Sequence, residues 1–477
     1  MDEELRSEAE EFLGNLPLSV EMPAGTGKTQ LIAAMSKVAT DAGKSVLVLT
    51  HTNAGVIALR SRIREFGVPQ RSFHVDTIAS WAFELVRHYP VLAGITMPPA
   101  PDWSQTKDYV IGAIKVARAR AIQEMHAASF DVLLVDEYQD CNVMQHELIL
   151  AISKVLPAAL FGDRLQGIFD FKGEAIVDWD AHVIPGFPAV SRTHTAWRWK
   201  GYNEELGEWL LDIRRGLISG RVIDLSKVKV NGFQWLPDTH KNLMDAAFSH
   251  GNYSESVVIM NRWRDDNVKV ANRLNGGYSV MEDINGRFMR TSLANLEQLE
   301  ISGYALWLAK FTKACFTGYA KIDAAVLNRF SQGRNLDGLS RPEIVGTLTA
   351  ISGVAVAPSI ENLAKAMVVI ERSGEGRLHS HEAWRDTLAA LRTAALDPDL
   401  DPQTSLALIR DRLRYSGRKV RQRVVSRTLL IKGLEYDHAI VCSAHDFGSL
   451  RHLYVGFTRP RRTLTVLSKS PKLRLIG

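Results

Sequence analysis

Cysteine is scarce in this sequence: the chain of 477 residues holds three, Cys141, Cys315 and Cys442, far apart. No CxxC pair exists to grip zinc or shuttle electrons, and no disulfide framework is expected, which fits a reducing compartment. Met1–Gly14 is acidic and amphipathic and lacks the basic segment and apolar core of a secretory signal. No apolar run approaches a membrane span, and internal repeats and long low-complexity stretches are missing. A soluble, cytoplasmic protein with no membrane partner is expected. Charge of one sign is in small excess only: a formal net charge of +5 permits a polyanionic partner without demanding one.

What is present is a long chain with ample apolar content, too long for one ordinary domain. Short β-type runs, Ser45–Thr50, Asp131–Val135 and Ala158–Phe161, alternate with amphipathic segments such as Leu31–Ala42 and Val56–Phe66. That alternation predicts an α/β fold, a parallel sheet with helices on both faces. A second set of buried strands is read at Ser256–Met260, Ala439–Ser443 and Leu464–Ser468. Between them, about 295–411, the pattern is almost wholly helical and predicts an insertion into a second α/β domain. A Pro-rich stretch near Pro90–Thr106 marks a smaller helical insertion, about 88–126, in the first.

Two motifs carry chemistry. Glu21–Thr29 reads EMPAGTGKT, between a β-type stretch (Leu18–Glu21) and a helix beginning at Gln30. Strand, Gly-rich loop and helix N-terminus is the setting of a phosphate-binding loop. Backbone N–H groups of Ala24, Gly25, Thr26, Gly27 and Gln30 would face phosphate oxygens, Lys28 would reach the β- and γ-phosphates, and Thr29 would ligate Mg²⁺. Met22 stands where the leading Gly of the usual pattern belongs. About a hundred residues on, Asp136-Glu137-Tyr138-Gln139-Asp140 caps the apolar run VLLV. There Asp136 would hold the metal through water and Glu137 would be the general base. ATP and Mg²⁺ are the expected cofactors.

In these motifs and in those that follow them in order, the sequence resembles superfamily 1 helicases of the UvrD/Rep/PcrA type. Leu49–Ile63 is similar to motif Ia, with Thr52 and Asn53 where the family touches the strand's backbone, and Thr77–Ala82 to motif Ib, led by Thr77, with Ala79 where a His is usual. FGDRLQGIFDFKG resembles motif III. The resemblance makes Gln166 a γ-phosphate sensor and Phe169, Phe171 and Lys172 a stacking platform for bases. HTAWRW, KGLEY and YVGFTR resemble motifs IV, V and VI, making Arg198 a γ-phosphate contact, Gly433 and Glu435 nucleotide-binding residues with Glu435 at the ribose, and Arg459 an arginine finger.

The resemblance implies two RecA-like domains: 1–185, and 186–294 with 412–477, the latter interrupted by a reduced helical insertion at 295–411. Lys28, Asp136, Glu137 and Gln166 would lie on the first, and Arg198, Glu435 and Arg459 on the second. It further implies an ATP-driven motor moving 3′→5′ on single-stranded or partly duplex DNA. The family's adenine-reading Gln upstream of the loop is missing, since no Gln precedes Gln30, so a looser preference for ATP is expected. The compact layout is similar to the helicase subunit of the Gabija anti-phage system. It implies an alternative, a DNA-sensing ATPase in antiviral defence that regulates a partner nuclease. The basic stretch Arg410–Arg427 is read equally as a phosphate track or a solvated face.

Overall fold

The computed structural model describes residues 1–96, 105–169, 175–283, 286–334, 336, 340–397, 399–416 and 421–473. Two compact units divide the chain. One comprises Met1–Val222 with Ser449–Arg461, and the other Ile223–Gly448 with Arg462–Leu473. Each is built on a six-stranded parallel sheet flanked by helices, the α/β architecture of two RecA-like domains.

In the first unit the strands are β1 (Leu18–Glu21), β2 (Val46–Thr50), β3 (Phe73–Thr77), β4 (Val132–Val135), β5 (Ala158–Gly162) and β6 (Ala189–Val190). Their order is β3-β2-β4-β5-β1-β6, parallel throughout. The helices are α1 (Glu3–Gly14), α2 (Lys28–Asp41), α3 (Asn53–Glu65), α4 (Ile78–His88), α5 (Pro90–Ala93), α6 (Thr106–Arg118), α7 (Arg120–Ser129), α8 (Val143–Ser153) and α9 (Glu204–Ile218).

Alternation along the strands explains the layering, because successive side chains leave opposite faces of a sheet. Val46, Val48, Val132 and Leu134 share one core with Leu31, Ile32 and Met35 of α2. Leu47, Leu49, Leu133 and Val135 share the other with Ile78 and Val86 of α4 and Val110 of α6. Strands covered on both faces have no polar side to show, which is why they read as unbroken apolar runs.

In the second unit the strands are β7 (Phe233–Pro237), β8 (Val257–Met260), β9 (Ser279–Val280), β10 (Arg423–Ser426), β11 (Tyr436–Val441) and β12 (Pro460–Ser468), in the order β9-β10-β8-β11-β12-β7. Between β9 and β10 the described residues from Arg287 to Ser416 are largely helical, with the two-residue strands Phe316–Thr317 and Arg377–Leu378. This region has a core of its own, centred on Trp307, Phe311, Phe330, Met367, Trp384 and Leu391. Among the described residues no helix is long and apolar enough to cross a membrane.

Candidate nucleotide site

The expected phosphate- and metal-binding residues between Ala24 and Gln166 each follow the C-terminal end of a parallel strand. The loop after β1 carries Ala24 to Thr29, and the turn after β4 carries Asp136 and Glu137. The turn after β5 carries Gln166. Parallel strands point their C-terminal ends the same way, so three loops distant in sequence meet at one edge, where α/β sheets bind ligands.

Gly25 and Gly27 adopt left-handed backbone conformations, φ +74° and +90°, which only glycine takes without strain. Gly27 N-caps α2 and brings no capping side chain, so the first N–H groups of α2 suit an anion. Space is the second constraint. A Cβ on Gly25 would lie 2.7 Å from the Trp199 ring and 2.8 Å from Arg198 Cβ.

Lys28 Nζ lies 2.8 Å from Asp136 Oδ1 and also donates to Glu137. All three side chains are largely buried. Burial works against the Lys28 charge, but the two carboxylates hold its pKa above the ordinary value. Burial raises Asp136, against the pull of Lys28. Glu137 has φ +55°, a conformation that costs a non-glycine residue on the order of 1–3 kcal/mol and clusters at functional sites. Its second carboxylate oxygen accepts from Gln139 Nε2.

The remaining γ-phosphate candidates belong to this same unit. Arg459 is 1% exposed and donates to Gln166 Oε1 at 3.3 Å and to Thr458 Oγ1 at 2.9 Å. Arg198 gives its backbone N–H to Gly25 O at 3.0 Å and its guanidinium to Thr458 O at 2.6 Å. Trp199 is fully buried and donates to Pro460 O at 2.7 Å. The sequence reading assigned Arg198 and Arg459 to the second α/β domain. The structure places both within the unit that holds the P-loop, because Ser449–Arg461 returns to it. Gly433 (φ +81°) and Glu435 lie in the second unit, in the turn before β11.

Thr52 follows the end of β2, and Thr77 is the last residue of the neighbouring strand β3. Both cap helices, Thr52 accepting from Gly55 N–H and Thr77 from Ser80 N–H. Asn53 opens α3. These three therefore share one end of the sheet with the loops that carry Ala24–Thr29 and Asp136–Glu137. Phe169 is half-buried, and Phe171 and Lys172 lie outside the described residues. Trp81 packs as a half-buried member of the core, its ring 5.9 Å from His126 and 6.1 Å from Phe130.

The basic stretch divides differently. Arg410 is 6% exposed and paired with Glu382 and Asp386. Arg423 bonds to Tyr278 Oη and His250 O, and Arg427 to Asp283. These three hold the second unit together and are not a phosphate track. Arg418 and Lys419 lie outside the described residues.

Sequence reasoning missed Asp163, Gln139, Glu21 and Arg214. Asp163, fully buried, accepts from Ala24 N–H and Gln166 Nε2, both at 3.1 Å. Gln139 accepts from Asp163 N–H at 2.9 Å and so joins the turn after β4 to the turn after β5. The position of Asp163 inside the GDRLQ run was the one available signal.

Comparison with known proteins adds one family match. Residues 8–172 match the AAA domain family. The matched stretch holds the P-loop, the DEYQD turn and Gln166. No curated protein matches the chain. Among solved structures, the Pif1 helicase from Candida albicans is 14% identical with a TM-score of 0.32, over 59% of this chain and 55% of that one. The match thus spans little more than half of that protein's length.

Proposed function

We propose that the chain is an ATP-dependent DNA helicase or translocase of superfamily 1, of the UvrD-like type and moving 3′→5′. The observation that carries the ATPase reading is the Lys28–Asp136–Glu137 cluster beside the left-handed glycines of the loop. The motif order carries the DNA-motor reading. The division expected from sequence, 1–185, 186–294 with 412–477, and the insertion 295–411, belongs to the same proposal, with 186–222 and 449–461 packing in the first unit.

The donor set fits a nucleotide with Mg²⁺. Among the described residues no group of three or more His, Cys, Asp or Glu side chains could hold a metal by itself. Mg²⁺ is commonly held by one or two protein oxygens, waters and substrate phosphates, and Thr29 and Asp136 would supply the protein's share. The bound pair would supply the phosphoryl group and its polarisation. The rest falls to side chains. Lys28 transfers its hydrogen bonds from the carboxylates to phosphate oxygens. Glu137, so released, takes the proton of the attacking water. Glu137 also orients that water, Gln166 senses the γ-phosphate, and Arg198 and Arg459 balance the charge that develops. Thr52, Asn53 and Thr77 would hold the DNA backbone, Phe169, Phe171 and Lys172 its bases, and Gly433 and Glu435 the nucleoside.

ATP hydrolysis with and without single-stranded DNA tests this, comparing wild type with Lys28→Ala and Glu137→Gln. Stimulation by DNA is expected, with turnover lowered about 100-fold or more in Glu137→Gln and lost in Lys28→Ala. Equal wild-type rates with and without DNA would sink the track assignment. Strand separation from a 3′ tail is expected. Stimulation without it moves the assignment to a DNA-sensing ATPase acting on a partner such as a nuclease.

A further inference from the structure

Behind the P-loop lies a buried charge network whose cation from outside the motifs is Arg214. Its centre is Asp163. Oδ2 accepts from Ala24 N–H and from Gln166 Nε2, each at 3.1 Å. Oδ1 accepts from Leu165 N–H at 3.1 Å and from Arg214 Nη2 at 3.0 Å. Arg214 projects from α9, and the same nitrogen also donates to Glu21, the last residue of β1. Glu21 in turn accepts from Arg164 Nε at 3.0 Å. One guanidinium thus ties together the end of β1, the start of the P-loop and the turn that carries Gln166.

We infer that Arg214 is a positioning residue for hydrolysis: by clamping Asp163 it holds the P-loop backbone and the Gln166 side chain in one fixed relation. The inference rests on the ATPase reading above. Burying a carboxylate is costly unless it is paired and hydrogen-bonded, and Arg214 is the cation on Asp163. Burial opposes the Arg214 charge, yet Asp163, Tyr454 and Glu21 hold its pKa above the ordinary value. Without that charge Asp163 has no cation to anchor it. Ala24 and Gln166 then lose their shared reference point, and small misplacements of catalytic groups are costly. Arg214 touches neither nucleotide nor water in this scheme and acts through Asp163.

The test uses the full chain with Arg214→Met, Arg214→Lys and Gln166→Ala. Deuterium exchange of the segment 18–30, without nucleotide, reads the loop directly, and steady-state ATP hydrolysis reads the sensor. In Arg214→Met, exchange at Ala24 is expected to quicken about tenfold, and kcat to fall about tenfold with KM for ATP changed less than about threefold. Arg214→Lys should recover part of kcat. In a Gln166→Ala background the same replacement should cost less than about twofold more, since residues acting as a unit are not additive. Unchanged exchange in a folded Arg214→Met chain overturns the inference, as do equal kcat losses in both backgrounds. Should Arg214→Met fail to fold, Arg214→Lys carries the test, and wild-type values of both readouts overturn it. A wild-type chain with no ATP turnover defeats the ATPase reading instead, while the exchange arm still decides whether Arg214 sets the loop.

Discussion

At the scale of single residues, geometry at the P-loop is stricter than its motif. Any side chain on Gly25 meets Trp199 and Arg198 at under 3 Å while also straining a φ of +74°. The left-handed backbone costs an L-residue roughly 1–2 kcal/mol, and overpacking typically adds about 1–3. Gly25→Ala should therefore lower the melting temperature and weaken a fluorescent ATP analogue about tenfold or more; wild-type binding in a folded variant would refute the packing argument. A second expectation concerns the base. With no Gln before the loop, the ratio of kcat/KM for ATP over GTP should stay below about tenfold, the discrimination small contacts supply; strict ATP selectivity would count against it. Lys28, Asp136, Glu137 and Gln166 could be nominated from sequence because each sits in a recognisable run. Arg214 was not. Its partners Glu21 and Asp163 lie 193 and 51 residues away, and no local pattern announces such a pairing.

At the scale of elements, charge runs were the least legible feature. Arg410 reads as one of many exposed bases until Glu382 and Asp386 arrive from the helix His381–Leu396, leaving it 6% exposed. Breaking a buried pair costs on the order of 3–5 kcal/mol, so Arg410→Ala should lower the denaturant midpoint of the full chain substantially; a change within about 0.5 kcal/mol, usual for surface positions, would return Arg410 to the solvated class. The same region carries a pH dependence. His379 is fully buried, and burial, with help from Arg264, brings its pKa down to about 4. Its folded value lies below the unfolded one, near 6.5. The unfolded chain therefore binds more protons in that window. Stability contributed by neutral His379 is full above about pH 6.5 and is lost as pH falls toward about 4. Melting temperature followed from pH 7 to 4.5 should drop less steeply in His379→Asn than in wild type. Parallel slopes would remove His379 from the acid response. The strands buried on both faces, by contrast, were read from a continuous apolar signal at Val46–Leu49 and Val132–Val135, whereas the more polar Phe73–Thr77, Phe233–Pro237 and Arg423–Ser426 were not read as strands.

At the scale of the whole molecule, chain order and spatial membership part company. Nothing local in Leu450–Phe457 says which sheet it packs near, so the reading from sequence kept it with the strands on either side. In the structure Ser449–Arg461 joins the first unit and contributes buried Leu450, Leu453, Tyr454, Val455 and Phe457 along with Arg459. Replacing buried Tyr454 and Phe457 by Ala should therefore weaken nucleotide binding even though the P-loop is intact; titration with the fluorescent analogue checks this, and full affinity would show that the returning segment is dispensable. The helical region raises a different consequence. It leaves the second sheet after β9 and re-enters at β10, and these strands are parallel neighbours. A turn joins antiparallel neighbours, but parallel ones need a crossover of about a dozen residues or more. The whole of Arg287–Ser416 is thus an inflated version of that single crossover. Evolution could enlarge, trim or exchange it without redrawing the sheet, and an engineer wishing to excise it would have to leave behind one plain helix as its replacement.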